Sequence, residues 1–294
     1  MGRGDLSDEE WARLEPHLPT NRGRGGRWRC HRRVINGILF RQRTGLLWRD
    51  LPPCFGGWKT VHDRHRWWSA DGTWERIPRA VQADADAGGR IDWSTVSVDS
   101  TTCRAHQHAA GASPVPRRSQ VGAGARCGTV PMRPGAAREA GSRARSTLPE
   151  KVGAVRSGLS SCPAGGGDAP QMIPVLEEIR VPRQAGGRPR TRPDHVGGDK
   201  ASSSRRNRRH LRRRQIKHTI PAPRDQRANR RRRGSQGGRP TGFDKTIYHC
   251  RNEVERTINR PKNFRAVATR FDKRAYVFRG TVTVAAIRLW FRPV

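Results

Sequence analysis

Apolar residues recur at helical spacing through the first eighty or so positions of this 294-residue chain. Ser7-Asp-Glu-Glu10 reads as a capping box, in which serine and glutamate each satisfy a free amide of the first turn. Trp11, Leu14 and Leu18 then follow three and four residues apart. A second helix is predicted over about 32–43, with Val34, Ile35, Ile38 and Leu39 on one face and Gly45 as its stop. The stretch LLWRDLPPCFGGW, Leu46–Trp58, is a turn-rich connector, and a third helix over about 60–69 carries Val61, His65 and Trp68. Five of the nine tryptophans lie between Trp48 and Trp74; their spacing among helical apolar positions reads as core packing rather than base stacking. At Thr95-Val-Ser-Val-Asp-Ser100 the period shortens to alternation, which predicts a short strand ending in an acid.

Residues 113–167 are different in kind. They show no sustained period and are dominated by Gly, Ala, Arg, Ser and Pro, the composition of a disordered linker. Order resumes at Asp168. Pro174–Arg180 reads as a helical turn or two, and Asp199 closes an extended stretch. A basic helix follows over 203–214, then a strand over 215–220, then a polar, arginine-laden loop over 224–239. Helical spacing returns over 248–262, and TVTVAAIRLW, Thr281–Trp290, is apolar enough for a closing helix or strand. The organisation expected is a helical N-terminal domain over 1–80 and a second domain over 91–294, with 113–167 disordered or out of frame.

Charge changes the picture most. Lys and Arg total 60 against 25 Asp and Glu, a formal net charge of +35. Such a balance points to a polyanionic partner, with nucleic acid ahead of a membrane surface. Residues 205–233 alone hold 13 arginines, a run suited to tracking DNA phosphates. The six cysteines include no C-x-x-C pair and read as scattered reduced thiols of an intracellular protein. No apolar run approaches membrane-spanning length, and the N-terminus lacks the apolar core of a signal peptide. The expected location is the cytoplasm, on the nucleoid.

The acids then single out a site. On a helix, Tyr248, Arg251, Glu255 and Lys262 share one face, whereas Glu253 points away as a solvated charge. The spacing Y-x2-R-x3-E-x6-K resembles the signature around the last acid of bacterial insertion-sequence transposases of the DDE class. VDSTTCRAHQHAAGA, Val98–Ala112, resembles the segment around that family's first aspartate, here Asp99. DHVGGDKASSS, Asp194–Ser204, resembles the second, here Asp199. RFDKRA, Arg270–Ala275, is similar to the family's downstream text, and LLWRDLP…GTWERI, Leu46–Ile77, to its helical N-terminal region. Cys103-x-x-His106-x-His108 has no second half of a metal site and reads as a polar loop. Asp92 and Asp194 lack the flanking pattern.

The resemblance implies an α/β fold, a ribonuclease-H-like catalytic domain preceded by a small helical domain that recognises DNA ends. It implies that Asp99, Asp199 and Glu255 are catalytic and hold two divalent ions, Mg²⁺ or Mn²⁺, while Tyr248, Arg251 and Lys262 grip phosphate. Cutting a phosphodiester and joining its 3′-hydroxyl to target DNA needs an activated nucleophile and a stabilised leaving oxygen. Two ions roughly 3.5–4 Å apart serve both, and hard carboxylate oxygens suit Mg²⁺. The partners implied are double-stranded DNA, both the element's terminal inverted repeats and the target, with homo-oligomerisation on that DNA left open. The chain departs from the family over 113–167, where the inner strands of the central sheet belong; similar length with scrambled content is what two compensating frameshifts produce. Gly197-Gly198 before Asp199 and Pro261 before Lys262 are further departures. An active transposase and a non-catalytic DNA-binding remnant of one both stay open.

Overall fold

The computed structural model describes residues 4–20, 30–99, 101–109, 143–144, 161–162, 168–249, 256 and 259–291. Its architecture is mixed, with helices throughout and a small parallel sheet. The chain forms two compact units: 1–78, 102–142 and 261–293 make the first, and 79–101 and 143–260 the second. The C-terminal segment thus folds with the N-terminal helices. The reading of 113–167 as disordered lies outside the described residues except at two short strands.

In the first unit, helix α1 (Asp8–Leu14) starts at the predicted capping box, with Ser7 Oγ accepting from Glu10 N at 3.1 Å and Glu10 accepting from Ser7 N at 2.8 Å. Helix α2 (His31–Thr44) ends at Gly45, whose φ of 73° only glycine adopts without strain. Helix α3 (Trp58–Ala70) buries Val61, His65 and Trp68. Helix α4 (Thr73–Ala87) contains Pro78, the last residue of this segment of the first unit, and its remainder belongs to the second. Trp68 and Trp74 are buried and meet edge to face at 5.0 Å. The tryptophan cluster is only partly core, however: Trp58 and Trp67 are exposed.

The closing segment is a helix, from Ala275 to Phe291, buried along most of its length. It packs on α2 and α3, and Gly280 makes this possible because a Cβ there would collide with Ser69 Oγ. Polar ties are buried with it. Thr281 receives His65 Nε2 at 3.1 Å on its hydroxyl and Gln42 Nε2 at 2.9 Å on its carbonyl. Arg288 forms a buried ion pair with Glu10. Residues of the RFDKRA motif serve this packing: Arg270 is buried against the Phe278 ring and donates to the carbonyls of Asp272 and Lys273.

The second unit is built on strands β1 (Val96–Val98), β2 (His195–Gly198) and β3 (Lys217–Thr219), parallel in the order β1-β2-β3. Val96, Val98 and Val196 are buried. A helix over Asp168–Glu177 packs against one over Arg205–Arg213, which Ser204 caps by accepting from Asn207 N. Asn207 braces the pair through Ala169 O at 2.8 Å and Ser202 O at 2.9 Å. Arg143–Ala144 and Ser161–Cys162 pair antiparallel. The arginine-laden stretch read as a loop begins as a helix, Arg224–Arg232, followed by a 3-10 turn over Gly234–Gly237. No residue of that helix is buried, so no apolar stripe announces it.

Candidate active site

The two aspartates singled out by sequence meet at one end of the parallel sheet. Val98 is the register partner of Gly198, and Asp99 and Asp199 are the next residue on each strand. Adjacent strands lie about 4.8 Å apart, so both carboxylates leave the carboxyl ends of neighbouring strands as a pair. Continuing the pleat by one residue puts them on the face of Ser97 and Gly197. Both are partly exposed.

Gly197 and Gly198 are close-approach glycines rather than mere weak points of the strand. A Cβ on Gly197 would lie 2.7 Å from Ser97 Oγ, and one on Gly198 would press at 3.4 Å on Ile220 and Ser202. Glycine lets β1 and β2 come together beneath the aspartates. The turn after β2 is fixed by a bond of the second carboxylate: Asp199 Oδ1 accepts from Ser202 N at 2.9 Å. Ser203 then ties this turn to the arginine helix: its hydroxyl donates to Gln226 Oε1 at 2.9 Å and its carbonyl accepts from Gln226 Nε2 at 3.0 Å. The buried Arg208 guanidinium donates to Ser203 Oγ and Ile220 O; burial lowers its pKa, with Arg212 adding to the effect. Arg224–Arg232, with its exposed cations, is therefore anchored next to Asp199. Sequence reasoning missed Ser202, Ser203 and Gln226 in this role. Pro223, with Asp225 in the first turn and arginines in the last, is the signal for a helix there.

Other expected residues are distributed differently. Glu255 and Arg251 lie outside the described residues. Tyr248 is half-buried in a short helix, Lys245–His249, with its ring 5.1 Å from Phe243. Lys262 belongs to a 3-10 turn, Arg260–Asn263, in which Pro261 is buried. The proline denies an α-helical hydrogen bond, so the regular helical face drawn from Tyr248 does not run on unchanged to Lys262. Lys262 lies near Cys103, where its charge opposes the upward push of burial on the thiol. His106 stacks on Phe271 at 4.6 Å, and His106 N donates to Arg270 O at 2.9 Å. Among the described residues no cluster of three or more His, Cys, Asp or Glu is placed to hold a metal. Asp92 caps its own turn through Ser94, and Asp194 precedes β2 at the end away from Asp199.

Paired carboxylates of this kind suit a hard, oxygen-liganded divalent ion. A mixed fold with such a pair on adjacent parallel strands is consistent with a ribonuclease-H-like fold. Residues 92–290 match the family model "Transposase DDE domain", and residues 6–78 match "Putative transposase of IS4/5 family (DUF4096)". The chain belongs to the DDE transposases. It is 34% identical over 142 residues to "Insertion element IS402 uncharacterized 16.2 kDa protein" of Burkholderia cepacia, covering 45% of this chain and 84% of that protein. It is 33% identical over 108 residues to "Uncharacterized protein y4sN" of Sinorhizobium fredii (strain NBRC 101917 / NGR234), covering 36% and 82%. No solved structure matches. DDE transposase domains act on DNA through divalent metal ions, and no described helix is long and apolar enough to cross a membrane.

Proposed function

We propose that this chain cuts DNA at the terminal inverted repeats of an insertion sequence and transfers the freed 3′ end to target DNA. The observation that carries the reading is the in-register emergence of Asp99 and Asp199 from adjacent parallel strands. Asp99, Asp199 and Glu255 hold Mg²⁺, which when bound supplies charge to activate the attacking oxygen and stabilise the leaving one. Tyr248, Arg251 and Lys262 hold phosphates near the cut, and the arginines of 224–232 carry the duplex toward Asp199. The N-terminal helices recognise the element end.

The test is cleavage of a labelled duplex carrying the element's own end, with Mg²⁺ or Mn²⁺, by wild-type protein, Asp99→Asn and Asp199→Asn. Cutting by wild type that falls to background in both variants, with duplex binding retained, is the expected result. Binding without cutting by wild-type protein would instead identify a non-catalytic remnant, the reading that the composition of 113–167 favours.

A further inference from the structure

A second basic surface lies along the β3 edge of the sheet. An open groove of about 840 Å³ is lined by His195, the first residue of β2, by Arg212, by Lys217 and Thr219 of β3, and by Phe243 and Lys245 among others. β3 is an edge strand, so the groove runs along an outer margin of the sheet. His195 lies four residues before Asp199, roughly 13 Å along the strand at 3.3 Å per residue. The His195–Lys217 end of the groove thus stands off from the carboxylates, while Thr219, the register partner of Gly197, brings its other end closer to Asp199.

Three exposed cations, Arg212, Lys217 and Lys245, face this space. Against them stands one acid, Asp244, whose Oδ1 accepts from Thr246 N at 2.9 Å and Ile247 N at 3.1 Å, so the groove keeps a net positive charge. His195 is held by Thr219 Oγ1 at 3.0 Å. Burial lowers the pKa of both His195 and His218, so the lysines and the arginine carry the groove's charge near neutral pH. Phe243, 49% exposed, offers an apolar surface beside these cations. Fixed cations along an open groove with an exposed ring fit a sugar–phosphate backbone: phosphates meet the cations and deoxyribose meets the ring.

We propose that this groove binds a stretch of duplex DNA by its backbone, apart from the phosphodiester cut at the Asp99–Asp199 end. The proposal rests on the transposase reading and adds a second place at which the same unit holds DNA. Binding here is independent of sequence, since the groove presents cations to phosphates rather than a donor–acceptor pattern to base edges.

The test is fluorescence-anisotropy titration of the full chain with a labelled duplex of arbitrary sequence over a range of salt concentrations. Arg212→Ala/Lys217→Ala/Lys245→Ala is compared with wild type. A control, Arg180→Ala/Arg183→Ala/Arg188→Ala, removes the same charge from exposed positions outside the groove. Loss of three phosphate contacts should reduce the slope of log affinity against log salt by about 3, with the control close to wild type. Phe243→Ala should weaken binding with the salt slope unchanged. Equal slopes for wild type and the groove variant, or an equal fall in the control, overturn the groove while leaving the transposase reading intact. Failure of wild-type protein to bind any duplex at low salt overturns both.

Discussion

Ser97 and Gly197 show how tightly the candidate site is built at the level of single atoms. Only hydrogen on the Gly197 α-carbon leaves room for Ser97 Oγ, because a Cβ would stand 2.7 Å from it. Gly197→Ala should therefore cost about 1–3 kcal/mol through overpacking and displace Asp199, two residues on. Adding Ser97→Ala removes the colliding oxygen and should restore most of the loss, in urea unfolding and in DNA cleavage alike. No rescue would separate the glycine from this strand contact. His65 is the second informative residue. Burial, with the nearby positive charge of Arg41 and with His62, lowers its pKa from 6.5 to about 3. The folded value lies below the unfolded one, so its contribution is complete above pH 6.5 and is lost as pH falls toward about 3. Between those limits it removes about 1.4 kcal/mol of stability per pH unit. His65→Gln should flatten unfolding free energy against pH in the upper part of that window, where few carboxylates titrate.

Elements differed in how openly the chain declared them. The capping box at Ser7–Glu10, the apolar face of α2 and its Gly45 stop are local devices, and each appears where its residues demand it. What the devices are also used for is not local. Glu10 completes the cap of α1 and pairs in the interior with Arg288 of the closing helix. Removing one partner of a buried pair strands the other, so Glu10→Ala should lower stability by about 3–5 kcal/mol, measured by denaturant unfolding. An equal loss from a surface glutamate such as Glu9 would count against this account. The helix over Arg224–Arg232 escaped recognition because it has no apolar stripe; its ends carry the signal, and its anchor, Gln226, bonds to a serine 23 positions earlier.

For the whole molecule, charge and chemistry divide the work. With a net charge of +35, backbone attraction to DNA does not depend on the carboxylates, whereas the proposed cutting does. Chelating the divalent ion in the cleavage assay should stop cutting and leave duplex binding in place, the same separation expected of the aspartate variants. The sequence by itself determined the transposase class and most helices, and it singled out the two aspartates as candidates, since flanking motifs, caps and periodicity are written in consecutive residues. It did not reveal that the last helix closes the N-terminal unit, that Ser202 and Gln226 brace the acidic turn, or that a basic groove runs along the sheet edge. Those, the groove along the β3 edge included, were decided by tertiary structure. Strand register and helix packing bring together residues tens to hundreds of positions apart, and contacts at that separation leave no periodic trace along the chain.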